Sequence, residues 1–171
     1  AESVAHDTLV TVDRDAPVKI VRVRLRNTGS ALKRLSLVCF TRLVLGADDA
    51  SACRVVTERD ARTGALLARN AASGPWSEAI AFSQVLTADG AAFQVTTDRA
   101  RFLGRHGDPS RPAALHGALA FDGATGPMHD PCFAWHVTFE VPAGESVDTV
   151  FLLGEARDEA DLRSLLTRFE T

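Results

Sequence analysis

The sequence predicts an all-β chain: an antiparallel sandwich of two sheets with one C-terminal α-helix. Three observations carry that prediction. Several segments place apolar residues at every second position, the period of a strand with one buried face. Short Gly/Pro/Asn/Asp clusters separate those segments. Helical spacing appears in only one stretch, near the end, and many strands followed by one helix favour a sandwich over an α/β fold.

The elements follow in order. Val21, Val23 and Leu25 alternate with Arg22, Arg24 and Arg26, the pattern of a half-buried strand. Between Leu35 and Leu45 both faces are apolar, with Leu35, Leu37 and Cys39 on one and Val38, Phe40 and Val44 on the other. Such a strand is expected to be central and covered on both sides. Arg62-Thr63-Gly64 predicts a turn before Leu66-Leu67-Ala68-Arg69, and Ala71 to Pro75 and Asp108 to Pro112 read as loops. Phe133, Trp135, Val137, Phe139 and Val141 share one face of a long strand, while Ala134, His136, Thr138 and Glu140 share the other. Val147 to Leu153 is apolar on both faces. Asn27-Thr28-Gly29-Ser30, Asp89-Gly90 and Pro142-Ala143-Gly144-Glu145 carry hairpin chemistry between strands. At the end, Asp158 is placed to cap a helix, and Leu162, Leu165, Leu166 and Phe169 form one stripe. The organisation expected is a sandwich over 1–156 and a helix over 157–171.

Bulk properties set limits. A chain of 171 residues with 46% apolar and 24% charged residues has the size and composition of one folded domain. A net charge of -3 argues against nucleic acid as a general partner. The cations are almost all arginine, with lysine only at Lys19 and Lys33. Cys39, Cys53 and Cys132 lack metal-like spacing and are expected to be reduced, buried small hydrophobes. No apolar run is long enough for a membrane span, so direct membrane insertion is not expected. A start at Ala1, with Met128 as the sole methionine, fits a processed product or an excised piece of a larger protein.

The search for chemistry finds no nucleophile elbow, phosphate loop, dinucleotide fingerprint or zinc helix. His6, His106, His116, His129 and His136 are scattered, and neither metal nor cofactor is expected. His129 beside Asp130 has the residue types for acid–base work, or is simply part of a turn before Pro131. Asp48-Asp49 and Asp158-Glu159 are adjacent acids, suited to solvation and capping and not to facing each other across a glycosidic bond. The basic loop from Asp98 to Arg111 stands out. Its guanidinium groups suit hydroxyls, phosphate or acids, and Phe102 suits the face of a pyranose. Arg101, Phe102 and Arg105 are the candidate carbohydrate-binding residues. The competing account ties the loop down by Arg–Asp pairs, with Phe102 and Leu103 as anchors in the core.

Five fragments in order carry a resemblance. They are Pro17 to Asn27; Thr63-Gly64-Ala65-Leu66-Leu67-Ala68-Arg69-Asn70; Phe102-Leu103-Gly104-Arg105 with Arg111-Pro112-Ala113-Ala114-Leu115; Thr125-Gly126-Pro127 with Asp130-Pro131-Cys132; and Pro142 to Glu145 with Phe151-Leu152-Leu153-Gly154. Together they resemble the phosphorylase-like region of cyclic β-1,2-glucan synthases and the related family 94 glycoside phosphorylases. The resemblance implies a supersandwich, galactose mutarotase-like in fold. It also implies a parent glycosyltransferase or phosphorylase whose catalytic residues lie on an (α/α)6 barrel outside this chain, with 157–171 starting the linker toward it. On that reading the chain is non-catalytic, packs on the barrel and contributes loops to the binding of a β-glucan or gluco-oligosaccharide. Homodimerisation and a place on the cytoplasmic face of the bacterial inner membrane, within a larger membrane protein, are implied as well. Two alternatives remain: an Ig-like or adhesion-type interaction module, and a self-contained mutarotase-like sugar enzyme. An uncovered helix stripe would speak against the first and for a missing domain. The second requires a histidine and a carboxylate in one cleft.

Overall fold

The computed structural model describes residues 3–87, 91–104, 107–116 and 121–170. Asp89-Gly90, Arg105 and His106 lie outside them. The strands are β1 (Val4–Val12), β2 (Val18–Asn27), β3 (Lys33–Arg42), β4 (Val56–Arg59), β5 (Leu66–Arg69), β6 (Ile80–Thr87), β7 (Ala92–Asp98), β8 (Gly126–Pro127), β9 (Pro131–Val141) and β10 (Ser146–Ala156). Two α-helices accompany them, α1 (Arg99–Leu103) and α2 (Glu159–Phe169). Every strand pairing is antiparallel. Among the described residues one sheet has the order β1-β2-β10-β6-β5-β4-β8 and the other β3-β9-β7.

Alternation places the core between the sheets. Leu66, Ala68 and Phe151 from the larger sheet meet Val95, Phe133, Trp135, Val137, Phe139 and Val141 from the smaller. The Trp135 indole N–H crosses the gap and donates to the Ser83 hydroxyl at 3.0 Å. A second core lies on the outer face of the larger sheet, where the helix stripe Leu162, Leu165 and Leu166 packs on Val18, Leu67, Ile80, Phe82 and Leu152. The chain therefore covers its own helix stripe. Asp158 caps α2 as its sequence position suggests, accepting from the Asp161 N–H at 2.9 Å. Arg163 and Arg69 add ion pairs from the helix region to the sheet. A third core, on the outer face of the smaller sheet, joins Cys132 and Ala134 to Phe102, Leu103 and Phe121.

The expected architecture holds, and several local expectations change. The strand from Leu35 is covered on both faces but is an edge, paired with β9 alone. Its apolar faces are explained by two different cores, Leu35, Leu37 and Cys39 entering the inner one and Val38 and Phe40 the outer one. Asn27 to Ser30 and Pro142 to Glu145 do not close hairpins, because each joins strands of different sheets. Asn27 organises both crossings. Its buried amide donates to the carbonyls of Ala31 at 2.8 Å and Val141 at 2.9 Å, and its own carbonyl accepts from the Gly144 N–H. The turn at Arg62-Thr63-Gly64 is a true hairpin between β4 and β5. All three cysteines are free, but Cys53 is exposed and only Cys132 is fully buried. Cys53 lies in the 3-10 turn Asp49–Arg54, whose single buried side chain is Ala52.

Candidate functional site

The basic loop begins where β7 ends. Asp98 caps α1, its carboxylate accepting from the Ala100 N–H at 2.9 Å, and Gly104 ends the helix at φ 85. The helix turns Arg101 outward and Phe102 inward. The Arg101 guanidinium lies 3.0 Å from Asp122 and 3.6 Å from Asp98, on the surface. Phe102 is 3% exposed; it stacks on Phe40 at 4.7 Å between ring centroids and meets Phe121 at 5.9 Å. Phe102 thus lies in an aromatic core. This corrects the expectation of a sugar-facing ring, because the stack that anchors the loop takes up that face. Arg105 lies outside the described residues, so of the three candidates only Arg101 is placed at the surface.

The other candidates are held by structural partners. Asp130 binds Arg99 through its side chain and through its carbonyl, which accepts from the Arg99 N–H at 3.1 Å. His129 is exposed beside it. His136 stacks on Phe121 at 5.2 Å, and its burial, aided by the charge of Arg34, pulls its pKa down. Asp48 caps the 3-10 turn by accepting from the Ser51 N–H and hydroxyl, while Asp49 meets Arg42 at 3.3 Å. Glu159 joins Arg69 at 2.8 Å and also pairs with Arg163. Among the described residues no group of three or more His, Cys, Asp or Glu side chains could hold a metal ion.

A concavity lies elsewhere, at the end of the sandwich beyond β3. It has a volume of about 550 Å³. Its floor is Ala79, Ala81 and Glu155; Leu45, Gly46 and Ser51 form one wall, and Asn70, Ser73 and Trp76 the other. Asn70 fixes the walls to each other. Its amide donates to the Leu45 carbonyl at 2.8 Å, and its side-chain oxygen accepts from the Ala72 N–H at 3.0 Å. Leu45 sits at φ 45, a left-handed conformation that costs a leucine about 1–2 kcal/mol. Sequence reasoning missed this cleft, although two signals pointed to it. Glu155 breaks an apolar run, and Pro75 stiffens a small-residue loop that ends in a tryptophan.

A two-sheet antiparallel body with a helix on its outer face defines a β-sandwich domain. Residues 1–171 match the glycosyl hydrolase 94 supersandwich domain, and the chain belongs to that family. It is 31% identical over 161 residues to the cyclic beta-(1,2)-glucan synthase NdvB of Rhizobium meliloti (strain 1021), covering 94% of this chain and 6% of that protein. The chain thus spans a small fraction of the length of this relative. No described helix is long and apolar enough to cross a membrane.

Proposed function

We propose that this chain is the non-catalytic sandwich domain of a larger cyclic β-1,2-glucan synthase-like enzyme. It packs against a catalytic (α/α)6 barrel, with α2 leading toward that barrel, and presents Arg101 to bound glucan. The parent enzyme works at the cytoplasmic face of the inner membrane, and the domain also offers surface for a homodimer. The carrying observation is the fate of the acids that chemistry would need. Asp48 and Asp158 cap helical turns, while Asp49, Asp130 and Glu159 lie against arginines. An acid whose oxygens already face a cap or a guanidinium is turned toward that partner and away from a reacting bond. A role in positioning substrate lowers barriers by orientation and not by bond chemistry.

The mutarotase-like alternative needs a histidine and a carboxylate converging in one cleft. The cleft that holds Glu155 has no histidine among its described lining residues, and His136 is occupied by Phe121. The test is phosphorolysis of β-1,2-gluco-oligosaccharides with inorganic phosphate by the chain alone. The expected result is no sugar phosphate. Turnover that disappears on replacing one of the chain's own acids would end this reading.

A further inference from the structure

We propose that the cleft between Trp76 and Glu155 is a saccharide subsite that holds one pyranose ring of a neutral gluco-oligosaccharide. The sugar lies on the indole face while its hydroxyls donate to the carboxylate. The choice of glucose units rests on the function proposed above; the site itself rests on geometry.

Glu155 stands at the exposed end of the face of β10 that enters the core. Along β10 the core-facing positions are Val147, Thr149, Phe151 and Leu153, and Glu155 is next on that face, opposite Ala81 of β6. Its carboxylate makes no hydrogen bond or ion pair with any described residue, whereas Asp60, Asp130, Asp148 and Glu159 are all held by arginines. The carboxylate is exposed and free of competing side chains, so its oxygens can accept from a ligand that enters the cleft.

Trp76 is the complementary half. It is 66% exposed, yet its backbone is fixed, with its N–H on the Ser73 carbonyl and its carbonyl accepting from the Ala79 N–H at 3.0 Å. Its indole N–H donates to no described residue. A stiff aromatic that keeps its ring in water gives contact area at low entropy cost. The floor residues Ala79 and Ala81 leave room above the sheet. The volume of about 550 Å³ falls within the roughly 300–1,000 Å³ typical of small-ligand sites.

The charge of the lining selects the ligand class. No Arg, Lys or His is among the described lining residues, and the only charge is negative. Phosphates, nucleotides and acidic peptides are repelled. A quaternary ammonium group is recognised by several ring faces at once, and this cleft offers one, beside the Ser51 and Ser73 hydroxyls, whose hydrogens go to Asp48 and the Asn70 carbonyl and whose oxygens are left as acceptors. That mixture suits a polyhydroxyl ring with an apolar face.

The test is calorimetric titration of the whole chain with a β-1,2-linked gluco-oligosaccharide, alongside Trp76→Ala, Trp76→Phe and Glu155→Gln. All variants are first checked for native near-ultraviolet dichroism, which buried Trp135 reports. Saturable binding by the parent chain is expected, weakened at least about tenfold in Trp76→Ala, and less in Trp76→Phe and Glu155→Gln. Binding that survives Trp76→Ala unaltered overturns the subsite, as does binding of tetramethylammonium in place of sugar. Absence of glucan binding up to about 10 mM also overturns it, as does burial of Trp76 by an added barrel domain without sugar; both leave the scaffold reading standing. Phosphorolysis by the chain would sink the scaffold reading and leave the subsite intact.

Discussion

Arg163 of α2 donates to the Asp60 carboxylate in the β4–β5 turn, a bridge between residues far apart in the chain. Asp60 is 9% exposed and also accepts from the Thr63 hydroxyl at 2.7 Å and the Thr63 N–H at 2.8 Å. Burial alone would push its pKa up. The hydrogen bonds from Thr63 and Arg163, together with the guanidinium charge, outweigh burial and hold it at about 2, below the ordinary 3.8. The stabilisation is full above the ordinary value and is lost as pH falls through about 2. Asp60→Asn is expected to cost about 1–2 kcal/mol at pH 7 by urea denaturation. The difference from the parent chain should shrink as pH approaches the lower value. An undiminished difference in acid would refute the assignment of the loss to charge.

The two described residues of the basic-loop prediction should separate sharply in stability. Phe102→Ala empties the stack on Phe40 and is expected to destabilise by about 3–5 kcal/mol. Arg101→Ala removes surface ion pairs with Asp98 and Asp122 and is expected to cost less than about 1 kcal/mol. Thermal melts of the two variants check both numbers.

This contrast marks where the sequence was informative. Period-2 alternation located β2 and β9, a run apolar on both faces located β10, and the helical stripe with its Asp158 cap located α2, because burial is written directly into spacing. Sheet membership was not legible. Turn residues such as Asn27-Thr28-Gly29-Ser30 report a reversal of the chain but not which partner the next strand finds. β1 was missed because both its faces are exposed, so no apolar alternation marks it. Helix α1 was missed because five residues are too few to show a period. Phe102 could equally have served a ligand or a core; only the position of Phe40 decides, and that is a long-range fact.

The three thiols are expected to differ in reactivity. Burial, reinforced by Asp98 and Asp130, pushes Cys132 up to about 12, and burial also raises Cys39 despite Lys19. Cys53 is exposed, with its thiol against the Ala50 carbonyl at 3.1 Å. An aromatic disulfide reagent at mildly alkaline pH should titrate Cys53 quickly in the folded chain, and the other two only after denaturation. Fast labelling of Cys132, read by peptide mass mapping, would contradict the packing of the outer core.

Trp135 and Ser83 supply a test of how the sheets are joined. Trp135→Phe fills most of the same space but strands the buried Ser83 hydroxyl, for an expected loss of about 1–3 kcal/mol. Ser83→Ala in the same background removes the orphaned group and should recover part of that loss in a double-mutant cycle. Strict additivity of the two changes would show that the bond contributes nothing.

The position of β10 has a consequence for how the chain reaches its folded form. It lies between β2 and β6, so among the described strands the larger sheet remains in two unjoined pieces until residues 146–156 are available. A ribosome releasing this domain would deliver the keystone last, after its neighbours have waited with open edges. Closure over such long sequence separations slows assembly relative to a chain of local hairpins.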